Sequence, residues 1–149
     1  MNIDLAINYG TKILSNSFIP NSHLDSEILM AKIINKDRKY LLLNQNKKLN
    51  KIEFINFQKL IELRSRGKPI AYLTNRKFFW NSEFFVTKDT LIPRPDSELL
   101  VDCVLKLTKS KNKINILEIG VGSGCIILSI LNERKNFYGT GIDVSKKCL

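Results

Sequence analysis

An α/β chain in two parts is what this sequence predicts: a small helical domain, then the beginning of a domain built on parallel strands. Three observations carry that expectation. Apolar residues recur at steps of three and four through the first 66 positions. Aromatic and β-branched runs take over at Lys77. Between Ile114 and Asp143 a strand-type run, a glycine triplet, an apolar helix-type run and a second strand ending in an acid follow in order. The 149 residues suffice for one ordinary domain or for a small domain plus part of another.

Within residues 1–66, Ile3, Ala6, Ile7, Ile13 and Leu14 mark a first amphipathic helix. Asn21 and Ser22 are cap candidates for a second, whose apolar stripe reads Leu24, Ile28, Ala31 and Ile34. A short helix is expected from Arg38 to Leu43. The strongest start signal is Asn50-Lys51-Ile52-Glu53, a capping box ahead of Phe54, Phe57, Leu60 and Ile61. Gly67 suits the left-handed position after that helix, and Pro69 prevents continuation. Residues 67–95 read as a linker holding a hairpin, with Lys77–Trp80 and Glu83–Thr87 around Asn81-Ser82. Pro93 and Pro95 hold the end of this linker extended. From residue 96 onward a helix capped by Asp96 and carrying Leu100, Val104 and Leu107 leads into Ile114–Ile119.

Composition narrows the function classes. Hydrophobic content of 44% with 26% charged residues describes a folded globular chain. No apolar run is long enough to span a bilayer, and Met1-Asn2-Ile3-Asp4-Leu5 has an early acid where a signal peptide needs basic residues. A cytoplasmic protein is expected. Cys103, Cys125 and Cys148 are scattered and odd in number, so neither a disulfide framework nor a zinc site is expected. The net charge of +10 admits nucleic acid as a partner, although lysines spread over solvated faces are the favoured explanation. The tight cluster Lys109-Ser110-Lys111-Asn112-Lys113 sits where a helix hands over to a strand.

Gly120-Val121-Gly122-Ser123-Gly124 carries the chemistry. A strand feeding a helix through glycines lets a ligand approach the backbone near a helix N-terminus. Asp143 lies 23 positions after Gly120, placed to accept hydrogen bonds from two ribose hydroxyls. The dinucleotide fingerprint is G-x-G-x-x-G, whereas here the third glycine arrives one residue early and Cys125 stands where Gly or Ala is wanted. With Glu118 two residues ahead, the string E-x-G-x-G-x-G resembles motif I of Rossmann-like methyltransferases. That resemblance implies that Glu118, Gly120, Val121, Gly122, Ser123, Gly124 and Asp143 bind S-adenosyl-L-methionine. A glycine turn that only packs strand on helix is the other reading.

Further strings sharpen the resemblance. Gly67-Lys68-Pro69-Ile70-Ala71-Tyr72-Leu73-Thr74, then Phe79-Trp80, then Thr90-Leu91-Ile92-Pro93-Arg94-Pro95-Asp96-Ser97-Glu98 occur in order. They resemble the protein-(glutamine-N5) methyltransferases of peptide chain release factors, the HemK family. Asp25-Ser26-Glu27-Ile28-Leu29 is similar to that family's N-terminal domain. The resemblance implies methyl transfer to the glutamine amide of a Gly-Gly-Gln loop, oriented by an Asn-Pro-Pro-Tyr motif, with Pro93, Arg94 and Pro95 lining the approach. It implies release factors as partners of the helical domain. Asn75 departs from the pattern, standing where the family usually has Gly.

A larger departure is that Asn-Pro-Pro-Tyr occurs nowhere in these 149 residues. Residues 96–149 are accordingly expected to be the N-terminal part of a truncated methyltransferase domain, inactive alone. Two alternatives remain open from the residues: a non-catalytic release-factor-binding module or remnant, and a fragment of an adenine-N6 nucleic-acid methyltransferase.

Overall fold

The structure, a computed structural model, describes residues 1–148. The chain forms two compact units, Met1–Thr74 and Asn75–Leu149. The first is helical, and the second contains all four strands among the described residues. The division falls after residue 74, beyond the expected end of the helical domain at 66. A helix not anticipated within the linker accounts for the difference.

In the helical unit, α1 (Ile3–Asn16), α2 (Ser22–Ile34), α3 (Arg38–Leu43), α4 (Lys51–Ser65) and α5 (Ile70–Thr74) enclose one core. Asn2 caps α1 by accepting from the Leu5 amide at 2.9 Å. The capping box of α4 is formed as its sequence predicts, with Asn50 accepting from the Glu53 amide and Glu53 from the Asn50 amide, both at 2.8 Å. Gly67 takes its left-handed conformation at φ +86. Asn21 makes no side-chain cap bond, so α2 starts without one. The short helix α5 is tied to α2 by Lys32, whose Nζ donates to the Leu73 carbonyl at 2.8 Å.

The apolar stripe expected for α2 is not its buried face. Leu24 is exposed and Ile28 half-buried, while Asp25, Ser26, Glu27, Leu29 and Met30 are buried. Polar partners make this possible. Arg64 Nε on α4 donates to Asp25 Oδ2 at 2.7 Å, and Arg38 forms an ion pair with Glu27. Ser26 Oγ donates to the Ile7 carbonyl at 2.8 Å. A buried charge needs such a partner, and each acid here has a guanidinium. Gly10 of α1 lies against the same spot. A Cβ there would sit 2.5 Å from Ser26 Oγ, 2.8 Å from Ile61 Cδ1 and 2.9 Å from Phe57 Cζ.

In the second unit, β1 (Arg76–Phe79) and β2 (Ser82–Phe85) form an antiparallel hairpin. The turn is Trp80-Asn81, one residue earlier than the expected Asn81-Ser82. Trp80 adopts φ +54, a conformation bulky residues rarely enter. Two carboxylates hold it there: Glu98 accepts from the Trp80 amide at 2.8 Å, and Glu133 accepts from Trp80 Nε1 at 2.9 Å and Asn81 Nδ2 at 3.0 Å. Asn75, before the hairpin, accommodates φ +59. After a 3-10 turn at Pro95–Ser97 comes α6 (Glu98–Leu107). No side-chain bond caps its start, and Val101 rather than Leu100 or Leu107 is its buried residue.

The last three elements are β3 (Asn115–Ile119), α7 (Cys125–Glu133) and β4 (Tyr138–Ile142). The strands pair in parallel, with Asn115 opposite Tyr138 and Ile119 opposite Ile142. This is the βαβ unit that the sequence predicts. One face of the pair lies under α7. Gly139 brings β4 so close that a Cβ would sit 2.8 Å from Ile127 Cδ1 and from Leu131 Cδ1. The other face carries Leu117, Ile119, Tyr138 and Ile142, all exposed. The core of this unit is Phe79, Phe84, Val101, Cys125, Ile130 and Phe137.

Candidate functional site

The turn from β3 to α7 bends at three glycines with positive φ, Gly120 (+79), Gly122 (+53) and Gly124 (+72). A side chain at any of them would be strained. The turn is fixed from inside. The amides of Gly120 and Val121 both donate to the Ile142 carbonyl, at 2.8 and 3.0 Å. The Gly124 amide donates to the Val121 carbonyl at 2.8 Å. Val121 itself is buried, and a Cβ on Gly141 would meet its Cγ2 at 2.6 Å. Around Gly120 and Gly122, by contrast, an added Cβ would meet nothing within 4 Å. The glycine backbone thus has one anchored side and one open side.

Two acids converge on this turn. Asp143, one residue past β4, accepts from the Gly122 amide through Oδ2 and from the Ser145 amide through Oδ1, both at 2.9 Å. These N–H groups, Ser145 first, hold its carboxyl below the usual aspartate range. Glu118, on the covered face of β3, accepts from the Ile127 amide at 3.0 Å. That amide is an orphan donor in the first turn of α7, whose N-cap residue Gly124 has no side chain to offer. Burial pushes the Glu118 carboxyl up, and the Ile127 N–H opposes part of that shift. Burial likewise raises the Cys125 thiol, with Ser123 opposing.

Glu118, Gly120, Val121, Gly122, Ser123, Gly124 and Asp143 are therefore neighbours around one turn. Ser123 also borders a hollow of about 560 Å³, walled by Phe84, Phe85, Thr87, Thr90 and Asn132 among others. The Pro93-Arg94-Pro95 segment is different. Pro93 is buried, and Arg94 is exposed in extended backbone at φ −99, ψ 142. Among the described residues the Arg94 side chain makes no hydrogen bond or ion pair with the turn. Gly139 and Gly141 lie outside the glycine motif, although alternate glycines in a strand signal close backbone approach. The Ser145 amide meets Asp143 in an Asx turn, a local arrangement that an aspartate at this position favours.

Comparison with known proteins adds a second line. Residues 6–74 match the family described as the PrmC N-terminal domain. A release factor glutamine methyltransferase of Leptospira interrogans is 41% identical over 139 residues, covering 93% of this chain and 49% of that protein. The Buchnera aphidicola release factor glutamine methyltransferase is 36% identical over 138 residues, covering 93% of the chain and 49% of its own length. A bifunctional methyltransferase of Rickettsia bellii is 38% identical, with 93% of the chain and 30% of that protein covered. The chain thus spans about half the length, or less, of these relatives.

Proposed function

We propose, for a chain related over nearly its whole length to release factor glutamine methyltransferases, that the turn after β3 binds S-adenosyl-L-methionine. On this reading the complete enzyme methylates the glutamine amide in the Gly-Gly-Gln loop of release factors, in the cytoplasm. The observation that carries the reading is Asp143 bound to the amide of Gly122 at the open side of a three-glycine turn.

The residues fit the cofactor's chemistry. S-adenosyl-L-methionine supplies an electrophilic methyl group on a sulfonium. Gly120 and Gly122 leave open space where a ligand can approach the backbone. Asp143 is held ionised by two N–H donors, and each oxygen keeps a lone pair for a ribose hydroxyl. Glu118, on the covered face of β3 beside the turn, offers a carboxyl for an ammonium group, and such a cation would offset the burial that raises its pKa. Pro93, Arg94 and Pro95 line the substrate approach, and the helical domain recognises the release factor.

An amide nitrogen is a poor nucleophile, because its lone pair is delocalised into the carbonyl. The reaction therefore depends on orientation and local electrostatics more than on a strong base. The orienting Asn-Pro-Pro-Tyr motif is not in this sequence. Residues 1–149 alone accordingly bind the cofactor weakly and transfer no methyl group.

Equilibrium dialysis with labelled S-adenosyl-L-methionine tests the reading. Saturable binding by the 149-residue chain is expected, weakened at least ~10-fold by Asp143→Asn, the loss of about one charge-assisted hydrogen bond. Equal affinity in that variant, or no binding at millimolar cofactor, would overturn the assignment. Methyl transfer to a release factor by this chain alone would overturn the claim that the machinery is incomplete.

A further inference from the structure

We propose that the lysine-rich corner between α2 and α4 binds the phosphate backbone of nucleic acid. Lys36, Lys39, Lys47, Lys48 and Lys51 fall within one short stretch, and all are exposed. None of the five has a carboxylate within ion-pair distance among the described residues. The carboxylates nearby are engaged elsewhere. Asp37 accepts from the Tyr40 amide at 2.8 Å, Glu53 closes the α4 capping box, and Glu27 is paired with Arg38.

Two of the cations also share one aromatic ring. Lys36 Nζ lies 5.6 Å and Lys47 Nζ 5.3 Å from the centroid of the same Tyr40 ring. Lys47 Nζ donates to Tyr40 Oη at 3.1 Å. One ring thus contacts two ammonium groups, and neither has a carboxylate partner among the described residues. A polyanion that docks on such unpaired cations releases its own counterions, which drives association.

The kind of cation selects the partner. Protein–protein interfaces are depleted in lysine and favour arginine, whereas lysine is a common point-charge ligand of phosphate. The one arginine of this stretch, Arg38, is the member already committed to an internal carboxylate. Exposed Asn46 and Gln45 between the lysines add neutral donors of the sort that contact phosphate and sugar. A surface that offers charge without a shaped pocket reads backbone and not sequence. RNA and DNA of equal length should therefore bind comparably.

The test is fluorescence anisotropy of the 149-residue chain with labelled 20-nucleotide single-stranded RNA and DNA across a salt series. Both are expected to bind, with affinity falling steeply as salt rises. A triple variant, K39Q/K48Q/K51Q, should weaken binding roughly 10-fold or more near 0.1 M salt and flatten the log–log salt slope by about 2. K109Q/K111Q/K113Q, which neutralises the other tight cluster, should have the smaller effect. Circular dichroism melting checks that both variants stay folded. Equal losses from the two variants, or loss only from the second, would overturn the assignment to this corner. Competition by polyglutamate as effective as by RNA would overturn it in favour of an acidic protein partner.

Discussion

The two units satisfy their acids in opposite ways. In the helical unit, acids enter the core and each meets a guanidinium: Asp25 with Arg64, and Glu27 with Arg38. The core is closed around Ile3, Leu14, Leu29, Phe57 and Ile61. In the strand-containing unit, the acids Glu118 and Asp143 meet only backbone N–H groups, and one sheet face is left to solvent. A parallel pair is ordinarily covered on both faces. The lesson is that the first unit spends its polar groups on fixing helix positions. The second keeps its polar groups beside an open turn, where a ligand can still use them.

The comparison breaks most readily at Arg64. Replacing it by Ala strands the Asp25 carboxylate, 7% exposed, without a partner. The expected loss is about 3–5 kcal/mol in the helical unit, as for other broken buried pairs. Urea unfolding followed by far-UV circular dichroism measures it. Because the single tryptophan, Trp80, lies in the other unit, its fluorescence transition should move much less. Equal shifts in both signals would mean that the units do not unfold separately.

Gly10→Ala comes next. Its Cβ would collide with Ser26, Ile61 and Phe57 at the contact of α1 with α2 and α4. Overpacking of this kind costs about 1–3 kcal/mol. A change below about 0.5 kcal/mol would show that the helices part easily, contrary to a closed core.

The smallest effect expected is a pH dependence at Glu118. Burial raises its folded pKa above the unfolded value, so ionising it disfavours the folded state. That contribution to stability is fully present below the unfolded pKa and is lost as pH rises through the folded one. Glu118→Gln stays neutral and keeps an acceptor for the Ile127 amide. Its stability relative to the wild type should therefore rise between pH 4 and pH 7, as read by Trp80 fluorescence in urea. A difference that is flat with pH, or that falls, would mean that burial does not dominate this carboxyl.

Local signals proved legible where one short stretch contains both partners of an interaction. The capping box Asn50–Glu53, the left-handed Gly67 and the strand–glycine–helix order of the βαβ unit are of this kind. Those features follow from hydrogen bonds and torsions spanning a few residues, which the order of amino acids dictates directly. The buried face of α2, the Trp80-Asn81 turn and the anchoring of Asp143 by Gly122 depended on groups brought from elsewhere. Asp25 can be buried only because Arg64 arrives 39 residues later, and Trp80 sits in a turn it would otherwise avoid because Glu98 and Glu133 hold it. The chain's order thus determined which segments become helix, strand and glycine turn. Packing alone decided which of their faces went inside, because the cost of burying a charge or straining a torsion depends on the partner that tertiary structure supplies.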